Sequence, residues 1–125
     1  MTQEDKQLLL KDLCARLPYG VICDRLGKPK KLLTISPSAV FSLQLDNGEY
    51  AAPCYTIEEA KPYLRPISSM TEEEKINYRA FFNYDGVEYP DEYIDWLNKN
   101  MFDYRELIEK GLAIEVTEEN NPYKD

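Results

Sequence analysis

Carboxylates are the side chains of this chain best suited to chemistry, and they concentrate in its second half. Residues 67–125 carry fifteen Asp and Glu against six Lys and Arg, whereas residues 1–66 carry eight against nine. Paired carboxylates can bind a divalent cation or act as general acid and base without any histidine. The sequence has no histidine, which excludes Ser-His-Asp and Cys-His nucleophile systems and most zinc and haem sites.

The positions of the acids favour helix capping over a metal site. Thr71-Glu72-Glu73-Glu74 is a capping box, and Asp103 with Glu106 repeats its spacing at the start of another predicted helix. The acidic turns at 46–48 and 85–86 are too short for a calcium loop, which needs spaced oxygens and a terminal Glu. We therefore predict no catalytic residue, no metal and no cofactor, and keep a carboxylate-only metal-dependent hydrolase as an alternative.

A second group of residues is typical of a protein-binding surface. Tyrosine and tryptophan lead the residues that anchor interfaces, and between positions 84 and 96 they alternate with acids. The candidate surface residues are Tyr84, Asp85, Glu88, Tyr89, Asp91, Glu92, Tyr93 and Trp96. They would present an acidic aromatic surface to a basic protein. The alternative is that many of the tyrosines close the core, with their hydroxyls reaching water.

The net charge limits the classes of partner. The chain has a formal net charge of −8 and a pI near 4.6, so phosphate backbones and anionic lipid should repel it. We expect no direct nucleic-acid or membrane partner, and a basic protein is favoured. The first residues lack the basic and apolar regions of a signal peptide, and no stretch approaches the roughly 20 apolar residues that span a bilayer. These features predict a soluble, cytoplasmic protein and leave its oligomeric state open.

The three cysteines predict neither a disulfide framework nor a metal site. Cys14, Cys23 and Cys54 form no C-x-x-C pair, are odd in number and sit among apolar neighbours. We predict that they are buried free thiols.

The first half of the chain predicts one helix followed by a small sheet. The helix begins after Thr2 and stops at Pro18 and Gly20, with an apolar stripe formed by Leu10, Leu13, Cys14 and Leu17. Apolar runs then alternate with turns, and Asn47-Gly48 is a strong hairpin signal. The predicted strands lie at 21–23, 32–35, 40–45 and 49–54, and they favour a small antiparallel sheet that can curl into a partial barrel.

The second half predicts helices and one closing strand. A capping box at Thr56–Glu59 starts a short turn that Pro62 limits, and a seam follows at 66–70. Helices are expected from Thr71 and from Pro90, the second carrying Tyr93, Trp96, Leu97 and Met101 along one face.

Three further elements are predicted near the end of the chain. Asp103 to Lys110 should form a last helix, because Asp103 can cap it and Gly111 can end it in a Schellman motif. Residues 112–116 are expected to add a strand to the sheet edge, and residues 117–125 to form a loose tail.

Together these elements predict a single α+β domain over residues 1–125. An N-terminal helix and a meander occupy 1–66, giving an antiparallel sheet of about four to five short strands, and an acidic helical half with the final strand occupies 67–116.

Several segments resemble a family of short uncharacterised proteins from gut anaerobic bacteria, often encoded near phage or mobile-element genes. The similar segments are Lys11–Gly20, Lys61–Thr71, Asp95–Arg105 and Gly111–Ala113. The resemblance implies a bacterial cytoplasmic setting and a link to mobile elements, and it assigns no activity to any residue.

The leading functional hypothesis is a noncatalytic accessory or protein-interaction protein, because no catalytic constellation is present and the second half is acidic and rich in tyrosine. A DNA-mimicking inhibitor of a nucleic-acid enzyme is the first alternative, since residues 67–125 carry a net charge of −9 from fifteen acids and six bases. Such mimicry requires carboxylates spaced along one surface.

Overall fold

One long helix, a curled mixed sheet and two further helices build the fold in the computed structural model, which describes residues 1–36, 42–45, 54–83, 86–87 and 90–123. The helices are α1 (Gln3–Arg16), α2 (Glu72–Arg79) and α3 (Pro90–Lys99). The strands are β1 (Ile22–Arg25), β2 (Lys28–Ser36), β3 (Ser42–Leu45), β4 (Cys54–Thr56), β5 (Lys61–Leu64), β6 (Phe82–Asn83), β7 (Gly86–Val87) and β8 (Ile114–Glu115). The predicted α+β class is confirmed.

The main sheet has six strands in the described part of the chain, in the order β4-β3-β2-β1-β5-β8. Neighbouring strands are antiparallel except β5 and β8, which are parallel, so the sheet is mixed and has one strand more than the upper end of the predicted range. Leu26 and Gly27, with φ of 55° and 82°, form the tight turn between β1 and β2. The predicted Asn47-Gly48 hairpin lies outside the described residues, although β3 and β4, which flank it, are paired.

Strand β5 is an element that the sequence analysis missed. Pro62 and the short length of the segment favoured a chain leaving the sheet, yet β5 lies between β1 and β8. Pro62 is opposite Cys23 of β1, and the parallel ladder to β8 begins only at Tyr63. The proline therefore sits at the start of the strand, before β5 acquires its second neighbour.

Helix α1 begins as predicted but buries a different face. The Thr2 hydroxyl accepts from the Asp5 N–H at 3.0 Å, and the Asp5 carboxylate accepts from the Thr2 N–H at 3.2 Å, which completes a capping box. The buried face consists of Leu9, Asp12, Leu13 and Arg16.

The predicted stripe of Leu10, Leu13, Cys14 and Leu17 is correct at Leu13, partly correct at Leu10 and Leu17, which are half-buried against the core, and wrong at Cys14. The centre of the buried face is shifted to include Asp12 and Arg16. The reason is that Asp12 and Arg16 neutralise each other inside the fold and so can occupy positions that an apolar count assigns to the surface. Cys14 is exposed, which corrects the expectation that all the cysteines are buried.

The main core lies between α1 and the sheet, and Cys23 is part of it. Burial raises the pKa of the Cys23 thiol to about 12, with smaller contributions from the charges of Asp12 and Asp24. The buried core residues are Leu9, Leu13, Val21, Cys23, Leu32, Leu43, Leu45, Ile57, Ala60, Leu64, Met101, Leu107, Leu112 and Ala113.

The predicted last helix is absent, and a single closed turn takes its place. The Asp103 carboxylate accepts from the N–H groups of Leu107 and Ile108, both at 2.9 Å. A helix N-cap at Asp103 would instead accept from the N–H groups of residues 105 or 106. Glu106 has a φ of 60°, which breaks helical geometry just where the helix should begin. Only about one turn then fits before Gly111, whose φ is 74°.

The predicted end of that segment is nevertheless correct. The Leu112 N–H donates to the Leu107 carbonyl at 2.9 Å, and the Gly111 N–H donates to the Ile108 carbonyl at 3.1 Å. These two bonds are the pair that defines a Schellman motif. The predicted final strand also forms, as β8 at the sheet edge.

The tail is packed on the sheet at Tyr123, contrary to the expectation that it is loose. The Tyr123 hydroxyl accepts from the Ile22 N–H at 3.0 Å and donates to the Tyr63 carbonyl at 2.8 Å. Ile22 and Tyr63 belong to the neighbouring strands β1 and β5, so one side chain of the tail joins two strands. Burial raises the pKa of the Tyr123 hydroxyl well above its ordinary value.

In the described residues, no helix is both long enough and apolar enough to cross a membrane.

Candidate functional site

The predicted acidic aromatic surface falls partly on α3. Asp91 and Glu92 are exposed in the first turn of that helix, and Tyr93 and Trp96 are half-buried further along it. The other four candidates, Tyr84, Asp85, Glu88 and Tyr89, lie outside the described residues.

Tyr93 and Trp96 belong to an aromatic cluster that joins α2 to α3. The centroid of the Tyr93 ring is 5.8 Å from that of Tyr78 and 5.4 Å from that of Phe82, and the Trp96 ring is 5.5 Å from Phe102. Burial raises the pKa of Tyr93 to about 12, helped by its hydrogen bond to Tyr78. Tyr93 and Trp96 therefore pack against neighbouring rings and at the same time expose part of their surface to solvent.

Phe82 of this cluster and Ile94 of α3 are both exposed apolar side chains. The Phe82 ring is 40% exposed although it touches Tyr78 and Tyr93, and Ile94, next to Tyr93 on α3, is 36% exposed. An aromatic ring that its neighbours already hold in place has little conformational freedom left to lose when a partner binds its exposed face.

Three carboxylates of α3 form a second feature of this part of the chain. Asp91, Glu92 and Asp95 are exposed, and none of them takes part in an ion pair within the described residues. Asp91 and Asp95 are four residues apart on a helix, where like charges destabilise by a few tenths of a kcal/mol. We name Asp91, Glu92, Asp95, Phe82 and Ile94 the α3 acidic surface.

A buried charge cluster, which the sequence analysis missed, ties α1 to the segment after α3. The Asp12 carboxylate accepts from Arg16 Nε at 2.9 Å and from Arg105 Nη1 at 2.7 Å. Arg16 also donates to the Phe102 carbonyl at 2.6 Å. The signal available in the sequence was the i,i+4 pair Asp12 and Arg16 beside Leu9 and Leu13, which continues the buried stripe with opposite charges.

A second ion pair fixes the seam between the two halves of the chain. Arg65 makes two parallel bonds to the Glu74 carboxylate, at 2.8 and 2.7 Å, and its guanidinium stacks 4.3 Å above the Phe102 ring. The hydrogen bonds from Arg65 hold the pKa of Glu74 below its usual range, assisted by the Thr71 N–H. Backbone bonds from Arg65 to Met101 and Asp103 complete this junction.

An open pocket of about 330 Å³ lies at the other end of α3. Its polar lining consists of Tyr19, Arg65, Lys99, Asn100, Asn121 and Tyr123. Residues of the tail and residues that precede it therefore line one cavity together. No motif in the sequence indicated this cavity.

A smaller groove of about 210 Å³ carries acids instead. It is lined by Glu106, Glu109 and Glu115 together with Asp103, whose oxygens are occupied by backbone donors. Across the described ranges, no group of three or more His, Cys, Asp or Glu side chains is arranged to hold a metal ion.

The buried charge cluster and the seam pair have the geometry of structural contacts, although one terminal nitrogen of Arg16, Nη1, is buried without a hydrogen-bond partner among the described residues. No family model, curated protein or solved structure matches this chain.

Proposed function

We propose that this protein is a noncatalytic interaction protein that binds a basic partner through the α3 acidic surface. The observation that carries the proposal is that α3 bears three exposed carboxylates without an ion pair among the described residues, together with exposed Ile94, and that exposed Phe82 of β6 packs on Tyr93 of the same helix. Like charges at Asp91 and Asp95 cost stability in the free protein, and a cationic partner would remove that cost.

The apolar and charged parts of the surface would have different roles in binding. Phe82 and Ile94 would enter a pocket or apolar contact of the partner and supply affinity, as buried aromatic anchors do. The surrounding carboxylates would speed association and select a cationic partner. Basic residues around an apolar recess are therefore the expected chemistry of the partner's surface.

The test compares proteins retained by three tagged forms of the chain from a lysate of its source organism. One form is wild type, the second carries Asp91→Asn with Glu92→Gln, and the third carries Glu118→Gln with Glu119→Gln. The third is a matched control, because it removes two exposed acids from the tail and leaves α3 unchanged. Circular dichroism and melting of all three forms verify that the helix persists.

The proposal expects a basic protein that wild type and the tail control retain and that the α3 variant loses. Retention should also fall when salt is raised, because exposed charges are screened within about 10 Å at 0.1 M salt. Identical sets of retained proteins for the α3 variant and the tail control would refute the assignment of the surface.

The same experiment separates general interaction from DNA mimicry, which we keep as a second hypothesis. The resemblance to short proteins of gut anaerobic bacteria, often encoded near phage or mobile-element genes, implies a bacterial cytoplasmic setting in which nucleic-acid enzymes would be available partners. A retained partner that binds duplex DNA and is displaced from it by this protein would support mimicry. A partner whose DNA binding is unaffected would remove that hypothesis and leave the interaction role.

A further inference from the structure

The open pocket between the tail and the body has a positive character that is unusual for so acidic a chain. Its lining contains Lys99 and Arg65 and no carboxylate, although the chain as a whole has a net charge of −8. Pockets of roughly 300 Å³ and above are the size that proteins use for small ligands.

The positive charge that remains available to a ligand in this pocket is close to +1. Both terminal nitrogens of Arg65 are bonded to Glu74, so that guanidinium is already neutralised. Lys99 is exposed and forms no ion pair in the part of the chain that the structure describes. One free ammonium matches a ligand with a single negative charge, whereas a doubly charged phosphate monoester would keep one charge uncompensated.

Neutral donors and acceptors in the pocket complete the recognition set. The Tyr19 side chain is 37% exposed, and its hydroxyl has no hydrogen bond within the described ranges. Asn121 accepts from the Tyr123 N–H through Oδ1, which keeps its Nδ2 available, and Asn100 uses Nδ2 on the Trp96 carbonyl, which keeps its Oδ1 available. The Tyr19 hydroxyl and Asn121 Nδ2 can donate to a carboxylate that pairs with the Lys99 ammonium. Asn100 Oδ1 can accept from a polar group on the rest of a small polar or aromatic ligand.

We propose that this pocket binds a small organic monocarboxylate, with Lys99 pairing its charge and Tyr19 and Asn121 donating to its oxygens. This site is separate from the α3 acidic surface, because none of the five residues of that surface lines the pocket. Because Asn121 and Tyr123 belong to the tail, the ligand would also stabilise the docked tail.

The test uses benzoate as the probe and benzamide as its uncharged counterpart, on the full chain labelled with ¹⁵N. Benzoate should shift the amide resonances of Lys99, Asn100 and Asn121 in a saturable way, with a Kd of about 1–10 mM for so small a ligand. Lys99→Gln should weaken benzoate binding by about five-fold, the effect of one exposed charge pair. Lys11→Gln, which removes an exposed lysine from α1, should leave binding unchanged.

Hydrogen exchange at Ile22 is a second measurement, because it reports whether the tail is docked on the sheet. Benzoate should slow hydrogen exchange of the Ile22 amide, which donates to Tyr123, and should slow it less in Lys99→Gln at the same concentration. Equal binding of benzoate and benzamide, shifts confined to other parts of the chain, or equal affinity in Lys99→Gln and wild type would each overturn the proposal.

Discussion

Asp12 balances two arginines at once, although it is fully buried on α1. Arg16 and Arg105 approach its two carboxylate oxygens from different parts of the chain, and both Asp12 and Arg16 have no exposed side-chain surface. Such a cluster is costly to assemble, but it is even more costly to break, because a lost partner leaves an uncompensated buried charge.

We therefore expect Asp12→Asn to lower the free energy of unfolding by about 3–5 kcal/mol, since the variant leaves two arginine charges near the core without their carboxylate. Urea denaturation followed by circular dichroism measures the change. Glu4→Gln is the control, because it removes an exposed carboxylate from the same helix and should change stability by less than about 0.5 kcal/mol. Equal stability of the two variants would mean that the cluster is not the junction described here.

The ion pair between Arg65 and Glu74 predicts how stability depends on pH. Arg65 lowers the pKa of Glu74 below its ordinary value of 4.5, so the folded state holds Glu74 ionised to lower pH than the unfolded state does. The contribution of the pair is complete at neutral pH and is lost as pH falls through the folded pKa.

Glu74→Gln should accordingly lower the free energy of unfolding by about 1–2 kcal/mol at neutral pH, and the difference from wild type should shrink as pH falls below the ordinary value of 4.5 and through the lowered pKa of the folded state. Urea melts at a series of pH values give the curve. Glu73→Gln carries the same charge change one residue away at an exposed position, and it should show no such pH dependence. A difference that grows toward acid pH would contradict the assigned direction.

Among the elements, the tail is the one whose role differs most from its appearance in the sequence. A polar segment with one proline and three acids gives no periodic signal, yet the Tyr123 hydroxyl is the donor and acceptor that joins β1 to β5. The contact connects positions about a hundred residues apart, so local pattern rules have no access to it.

Replacing Tyr123 by Phe should lower the free energy of unfolding by about 1–3 kcal/mol, because the Ile22 N–H and the Tyr63 carbonyl both lose a buried partner. Hydrogen exchange at Ile22 should accelerate in the same variant. Tyr19→Phe removes a hydroxyl that has no hydrogen bond in the described part of the chain, and it should be nearly neutral. Unchanged exchange at Ile22 in Tyr123→Phe would show that the tail does not protect the strand in solution.

Most elements with local signals were predictable, whereas strand β5, which is defined by distant partners, was not. The capping boxes at Thr2, Thr56 and Thr71 and the Schellman motif at Gly111 depend on residues within one turn, and the structure contains all four. Strand β5 could not be recognised, because its two neighbours come from opposite ends of the chain and its proline argues against a strand. The helix expected from Asp103 failed because a left-handed residue at Glu106 leaves room for only one turn.

At the scale of the whole molecule, the two halves defined by charge share their structural elements. Strand β8 from the acidic half completes the sheet of the first half, and Arg65, Phe102 and Asp103 link the halves through backbone bonds. Of the candidate site, composition predicted the acidic aromatic character of α3. The pocket beside Lys99 could not be predicted, because it exists only where the tail and the end of α3 meet.

Cys14 and Cys23 together provide an internal measurement of how often the sheet opens. Cys14 is exposed and should react with iodoacetamide at the rate of a free thiol, whereas Cys23 is buried and its raised pKa keeps it protonated. In a Cys54→Ala background, mass spectrometry should find Cys23 modified at least about a thousand-fold more slowly, because modification waits for β1 to open. Equal rates would mean that β1 opens freely. The ratio of the two rates therefore reports the free energy of opening in native buffer, without any denaturant.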